Sequence, residues 1–135
     1  MRVLDASVVV DALVVSGVQG DLARLVLATE SVLHVPAVFL AEVSSALRAM
    51  VHRGDVDPGA ARTALDQVAG LSRDDYPLDP FLPRVWELRA NVTVYDGWYV
   101  ALAESMDVPL VTADSRLLRA AGPHCPVLTP EQAVG

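Results

Sequence analysis

Short apolar runs alternate with longer stretches of helical periodicity along this chain. Met1 to Leu4 is an apolar run that ends on Asp5. A helical pattern follows over Val8 to Val15, and Gly17 and Gly20 break it. Asp21 to Thr29 predicts a second helix, with Leu22, Leu25 and Val26 on one side. Val32 to Val35 predicts a strand, and Pro36 the first residue of a helix that reaches His52 and stops near Gly54. Asp57 is placed to cap the next helix, with Pro58 at its first position and its end near Ala69. Asp74 to Pro80 is rich in turn residues and has room for an edge strand over Tyr76 to Leu78. Phe81 to Asn91 predicts a helix with Arg84, Glu87 and Arg89 outward. Asp96 to Met106 predicts another, then Leu110-Val111 a strand and Ser115 to Ala121 a helix. Val127-Leu128 is the last strand candidate, and Thr129 to Glu131 a terminal turn or short helix.

Strands this short and this apolar, separated by helices, imply a mostly parallel sheet covered on both faces. The expected class is therefore α/β, with about five short strands and one domain over residues 1–135. In such sheets ligands bind beyond the carboxyl ends of the strands. Asp5 and Asp114 both directly follow a predicted strand.

Composition narrows the chemistry. The chain is 53% hydrophobic and 20% charged, which fits a full core and leaves apolar surface for a partner. Its net charge of −7 runs against ordinary nucleic-acid binding, unless the acids converge and hold divalent cations. All ten basic residues are arginine. No lysine is present for a P-loop or a Schiff base, and arginine remains for phosphate contacts. Cys125 is the only cysteine, and His34, His52 and His124 lack metal-ligand spacing. The apolar start is interrupted by Asp5 and Asp11 and resembles neither a leader nor a membrane span; the expected location is the cytoplasm.

Among the acids, Glu42 stands out. It lies in Phe39-Leu40-Ala41-Glu42-Val43 and shares a helical stripe with Phe39, Ala46 and Ala49. Burying an ionised carboxylate costs several kcal/mol unless it is paired or bound to a metal. Asp96 shares a face with Tyr99, Val100 and Ala103, so it turns inward. Each acid also has a plainer use. Asp5, Asp96 and Asp114 can each cap a helix, Ser7 can cap the Val8 helix, and Glu104 can form a structural ion pair or face solvent. Asp74, Asp75 and Asp79 read as solvated loop residues. Together, Asp5, Glu42, Asp96 and Asp114 are expected at or near one end of one sheet or on the helix faces beside it. Clustered acids raise one another's pKa unless a cation sits among them, and oxygen ligands without His or Cys select Mg²⁺ or Mn²⁺. Phosphoryl-accepting receiver domains and dehalogenase-type phosphatases also use acids at strand ends. Both need a lysine, and the second an Asp-x-Asp pair where Asp5 is followed by Ser7.

The runs Val3-Leu4-Asp5-Ala6-Ser7, Leu40-Ala41-Glu42-Val43, Tyr95-Asp96-Gly97-Trp98-Tyr99-Val100-Ala101-Leu102-Ala103-Glu104 and Leu110-Val111-Thr112-Ala113-Asp114 resemble a PIN-domain ribonuclease. More narrowly, they resemble a VapC-type toxin of a type II toxin–antitoxin pair. The resemblance implies a three-layer α/β/α fold and a Mg²⁺-dependent (or Mn²⁺-dependent) endoribonuclease, a hydrolase of RNA phosphodiester bonds. Transfer or ribosomal RNA is the substrate class it implies. It maps catalytic metal ligands onto Asp5, Glu42, Asp96 and Asp114, with Ser7 and Thr112 in support. The family pattern often continues with a further acid, where Arg116 and Leu117 stand here. It also implies a homodimer, and a VapB-like antitoxin bound in a heteromeric complex. Arg48 and Arg116 are the candidate RNA contacts, with Arg53 and Arg119 beside them. The alternative is a PIN-fold interaction module without catalysis.

Overall fold

The computed structural model describes all 135 residues, and alternation of strand and helix governs it. The strands are β1 (Val3–Leu4), β2 (Leu33–Pro36), β3 (Arg73–Tyr76), β4 (Leu110–Val111) and β5 (Val127–Leu128). The helices are α1 (Ala6–Val14), α2 (Gly17–Ala28), α3 (Phe39–Arg53), α4 (Pro58–Ala69), α5 (Leu82–Glu87), α6 (Val94–Met106), α7 (Ser115–Arg119) and α8 (Pro130–Val134). All pairings are parallel. Hydrogen bonding divides the strands into two pieces, β1-β4-β5 and β2-β3, with β2 packed beside β1. β1 and β4 are fully buried, as expected for strands with helices on both faces.

The core joins both pieces through Val3, Leu4, Val35, Phe39, Tyr99 and Val111. Each large apolar side chain removed from water here contributes about 1.5–3 kcal/mol. α6 is the central helix: Gly97 through Ala103 are all buried. It packs on β1, β2 and β4 and runs back toward the start of β4. Its N-terminus therefore lies at the carboxyl end of the sheet.

Several boundaries depart from the pattern. Pro36 is the last residue of β2 rather than the start of a helix. It has no N–H to give, so the ladder continues from Ala37 N–H to the Tyr76 carbonyl. β3 is Arg73–Tyr76, not Tyr76 to Leu78, and it lies at an edge where Asp74 and Asp75 face His34 and Arg73. α2 begins at Gly17, so Gly20 lies inside it rather than breaking it. α1 and α2 meet at 118°, and a Cβ at residue 20 would run into the Val15 carbonyl. Glycine is there because the turn brings two backbones together.

The expected Phe81 to Asn91 helix is a 3₁₀ turn (Asp79–Phe81) and the short α5, and Arg84 faces inward. Arg84 makes a bidentate pair with Glu104, Nε to Oε1 at 2.7 Å and Nη2 to Oε2 at 2.9 Å. Burial raises the Glu104 pKa, but the Arg84 and His124 N–H bonds outweigh it and hold the carboxylate below its usual range. Glu104 is thus the structural ion pair that its sequence position allowed.

Candidate active site

The carboxyl end of β1 places Asp5 beside the carboxyl end of β4. Leu4 pairs with Val111, and Asp5 N–H donates to the Val111 carbonyl at 2.9 Å, so the register sets Asp5 against Thr112. Asp5 stands at the N-cap of α1 but its side chain caps nothing. Instead Oδ2 accepts from Ser7 Oγ at 2.6 Å and from Thr112 Oγ1 at 2.9 Å. Thr112 is fully buried. Its hydroxyl oxygen accepts Asp114 N–H at 3.0 Å, and Ser7 Oγ accepts Ala113 N–H at 3.1 Å. Ser7 is therefore not a helix cap. Ser7 and Thr112 tie Asp5 to the loop that carries Asp114.

Asp114 does cap, accepting Arg116 N–H at 2.9 Å at the start of α7. One carboxylate oxygen is used this way, so capping coexists with any other task. Asp96 does not cap α6. Thr93 does, accepting Asp96 N–H at 3.1 Å. The Thr93-x-x-Asp96 spacing is readable as a helix start, since a hydroxyl three residues before an acid is a common N-terminal pattern. With Thr93 as the cap, the Asp96 carboxylate accepts no backbone N–H of the first turn. Glu42 occupies the first turn of α3, beyond the end of β2.

The four acids form one electrostatic unit. Burial is the main cause that raises Asp5, partly offset by the Ser7 and Thr112 bonds, with Asp114 adding repulsion. Burial pushes Glu42 up to about 7; Tyr99 opposes it, and the Asp5 and Asp96 charges add to the rise. Burial, then Asp5 and Asp114, push Asp96 up to about 6, with Thr93 and Arg116 opposing. No three His, Cys, Asp or Glu side chains converge tightly enough to make a preformed metal cage. Glu42 Oε1 is buried and has no hydrogen-bond partner. Tyr99, which carries a second unpartnered atom against the same carboxylate, has no counterpart in the expected site. Its place on the inward stripe of Asp96 was the available signal.

The arginines separate. Arg116 is exposed and close enough to lower the Asp96 pKa. Arg48 is exposed on a groove between α3 and α4, beside Val51, Ala61 and Leu65, and acts on none of the acids. Arg53 pairs with Asp55 at 2.9 Å. A Cβ at Gly97 would meet Val85 and Val92 at 3.5 Å, an ordinary contact.

The model of the PIN domain matches residues 2–123. The chain belongs to the PIN-domain family. This PIN chain is 44% identical over 126 residues to Ribonuclease VapC1 of Mycobacterium tuberculosis, covering 93% of this chain and 94% of that protein. It is 39% identical over 127 residues to Ribonuclease VapC9 of the same species, covering 94% and 96%. Among solved structures, PAE2754 from Pyrobaculum aerophilum aligns with a TM-score of 0.70 and 26% identity, over 96% of this chain and 83% of that one. FitAcB from Neisseria gonorrhoeae shares the fold, with a TM-score of 0.62 at 14% identity over 97% and 99%. The ends of β1 and β4 and the starts of α3 and α6 bring acids within range of one another's charge. No helix of the chain is long and apolar enough to cross a membrane.

Proposed function

We propose that this chain is a metal-dependent endoribonuclease of the VapC toxin type, acting as one PIN domain over residues 1–135. The observation that carries the reading is Glu42 Oε1, a buried carboxylate oxygen without a partner among acids that raise one another's pKa. Such a set is costly to keep ionised and is stabilised by a divalent cation. Four carboxylates without His or Cys fit Mg²⁺ or Mn²⁺. Asp5, Glu42, Asp96 and Asp114 are the residues that would hold it.

When bound, such an ion supplies charge stabilisation at the RNA phosphate and lowers the pKa of a water. The protein's own groups do the rest. Ser7 and Thr112 aim Asp5 by donating to Oδ2 and offset part of the cost of burying its charge. A carboxylate of the set takes the proton of the attacking water, and Glu42, whose Oε1 has no protein partner, is the candidate. Arg116 at the pocket edge orients a phosphate. Attack by water makes a 2′-hydroxyl nucleophile and a histidine pair unnecessary. The products carry 5′-phosphate and 3′-hydroxyl ends.

The relatives' ribonuclease names support RNA as substrate. Exposed Leu82, Trp86, Val94 and Tyr95 supply an apolar surface for a homodimer. A VapB-like antitoxin would neutralise the enzyme by covering the pocket. The test is cleavage of structured RNA with Mg²⁺, Mn²⁺ or EDTA, for the wild type and Asp96→Asn. Cleavage falls by about 100-fold or more in EDTA and in the variant. Cleavage that survives both overturns the proposal.

A further inference from the structure

Three buried side-chain atoms of this molecule lack a hydrogen-bond partner, and two of them belong to side chains near enough to act on one another. They are Glu42 Oε1 and the Tyr99 hydroxyl. Tyr99 is fully buried on α6, one turn beyond Asp96. A buried hydroxyl left unpaired costs about 1–3 kcal/mol, and phenylalanine would fill the same space without that cost. The hydroxyl therefore calls for a reason beyond packing.

Its surroundings supply one. The Glu42 and Asp5 carboxylates lie close enough to act on the phenol oxygen, although it forms no hydrogen bond. A buried hydroxyl with no partner turns its proton toward the nearest acceptor. A phenol keeps its proton throughout the neutral range and so remains a donor. The ring is locked in the core, whereas a glutamate side chain is long and rotamer-rich.

We infer that Tyr99 is a positioning residue of the carboxylate pocket: its hydroxyl donates to Glu42, directly or through one water, and fixes where that carboxylate points. The inference rests on the metal-pocket reading above and adds to it a residue that touches neither RNA nor ion. A fixed Glu42 costs less ordering when the cation arrives, as for other groups that orient a metal ligand from behind.

The test compares Mn²⁺ affinity by calorimetry for the wild type, Tyr99→Phe and Leu102→Val, with thermal unfolding in EDTA alongside. Leu102 is another fully buried residue of α6. Tyr99→Phe folds and binds Mn²⁺ about tenfold or more weakly. Leu102→Val loses stability and keeps the wild-type affinity. Wild-type affinity in Tyr99→Phe overturns the inference while the metal reading stands. Equal weakening in both variants, or failure of Tyr99→Phe to fold, also overturns it, because the role is then structural. A wild-type chain that binds no Mn²⁺ overturns the metal reading and the inference with it.

Discussion

Replacing Glu42 by glutamine raises the stability of the metal-free protein, and it does so only where Glu42 is ionised. Burial and the Asp5 and Asp96 charges lift its pKa from the ordinary 4.5 to about 7. That difference corresponds to about 3 kcal/mol against the ionised form. Glu42 is half-buried as a residue and the amide has its own desolvation cost, so the expected gain is about 1–3 kcal/mol. The sign follows from linkage. Between pH 4.5 and about 7 the folded state holds a proton on Glu42 that the unfolded state has lost. Wild-type stability therefore falls across this window, and the penalty is complete above it. Urea unfolding in EDTA at pH 4 and pH 8 measures both ends. Glu42→Gln is more stable than wild type at pH 8 and matches it at pH 4. Saturating Mg²⁺ reverses the order at pH 8, because the ion stabilises the native state that binds it. A variant no more stable than wild type at pH 8, or equally stabilised at both pH values, refutes the reasoning.

Two further outcomes follow from the packing. Thr112→Val keeps the shape but removes the donor to Asp5 and the acceptor for Asp114 N–H; urea unfolding shows a loss of about 2–3 kcal/mol, and a loss below about 0.5 kcal/mol refutes the bridging role. Gly20→Ala loses about 3 kcal/mol because its Cβ meets the Val15 carbonyl, whereas Gly97→Ala stays within about 0.5 kcal/mol, where contacts are ordinary; equal unfolding temperatures for the two variants would contradict this.

Asp5 and Asp114 were legible because both directly follow an apolar run, and a parallel sheet collects chemistry at the ends of its strands. Glu42 was legible because an acid in an apolar stripe conflicts with solvation wherever the stripe packs. Local pattern also fixed most helices, since capping and periodicity act within a few residues. Tertiary structure decided the rest. Pro36 has a backbone angle suited to a strand end as well as to a helix start, and pairing with Tyr76 selected the strand. Gly20 looks like a helix breaker until the angle between α1 and α2 brings Val15 against it. Arg84 sits on an outward pattern, yet Glu104, twenty residues on, turns it inward through a bidentate pair. Asp96 was open to a capping role because caps are local; Thr93 took that role and left its carboxylate to the pocket. The sequence by itself determined the α/β alternation and which acids were available. Only the register of β1 against β4 and the packing of α3 and α6 brought them within range of one another's charge, because such contacts join residues separated by most of the chain.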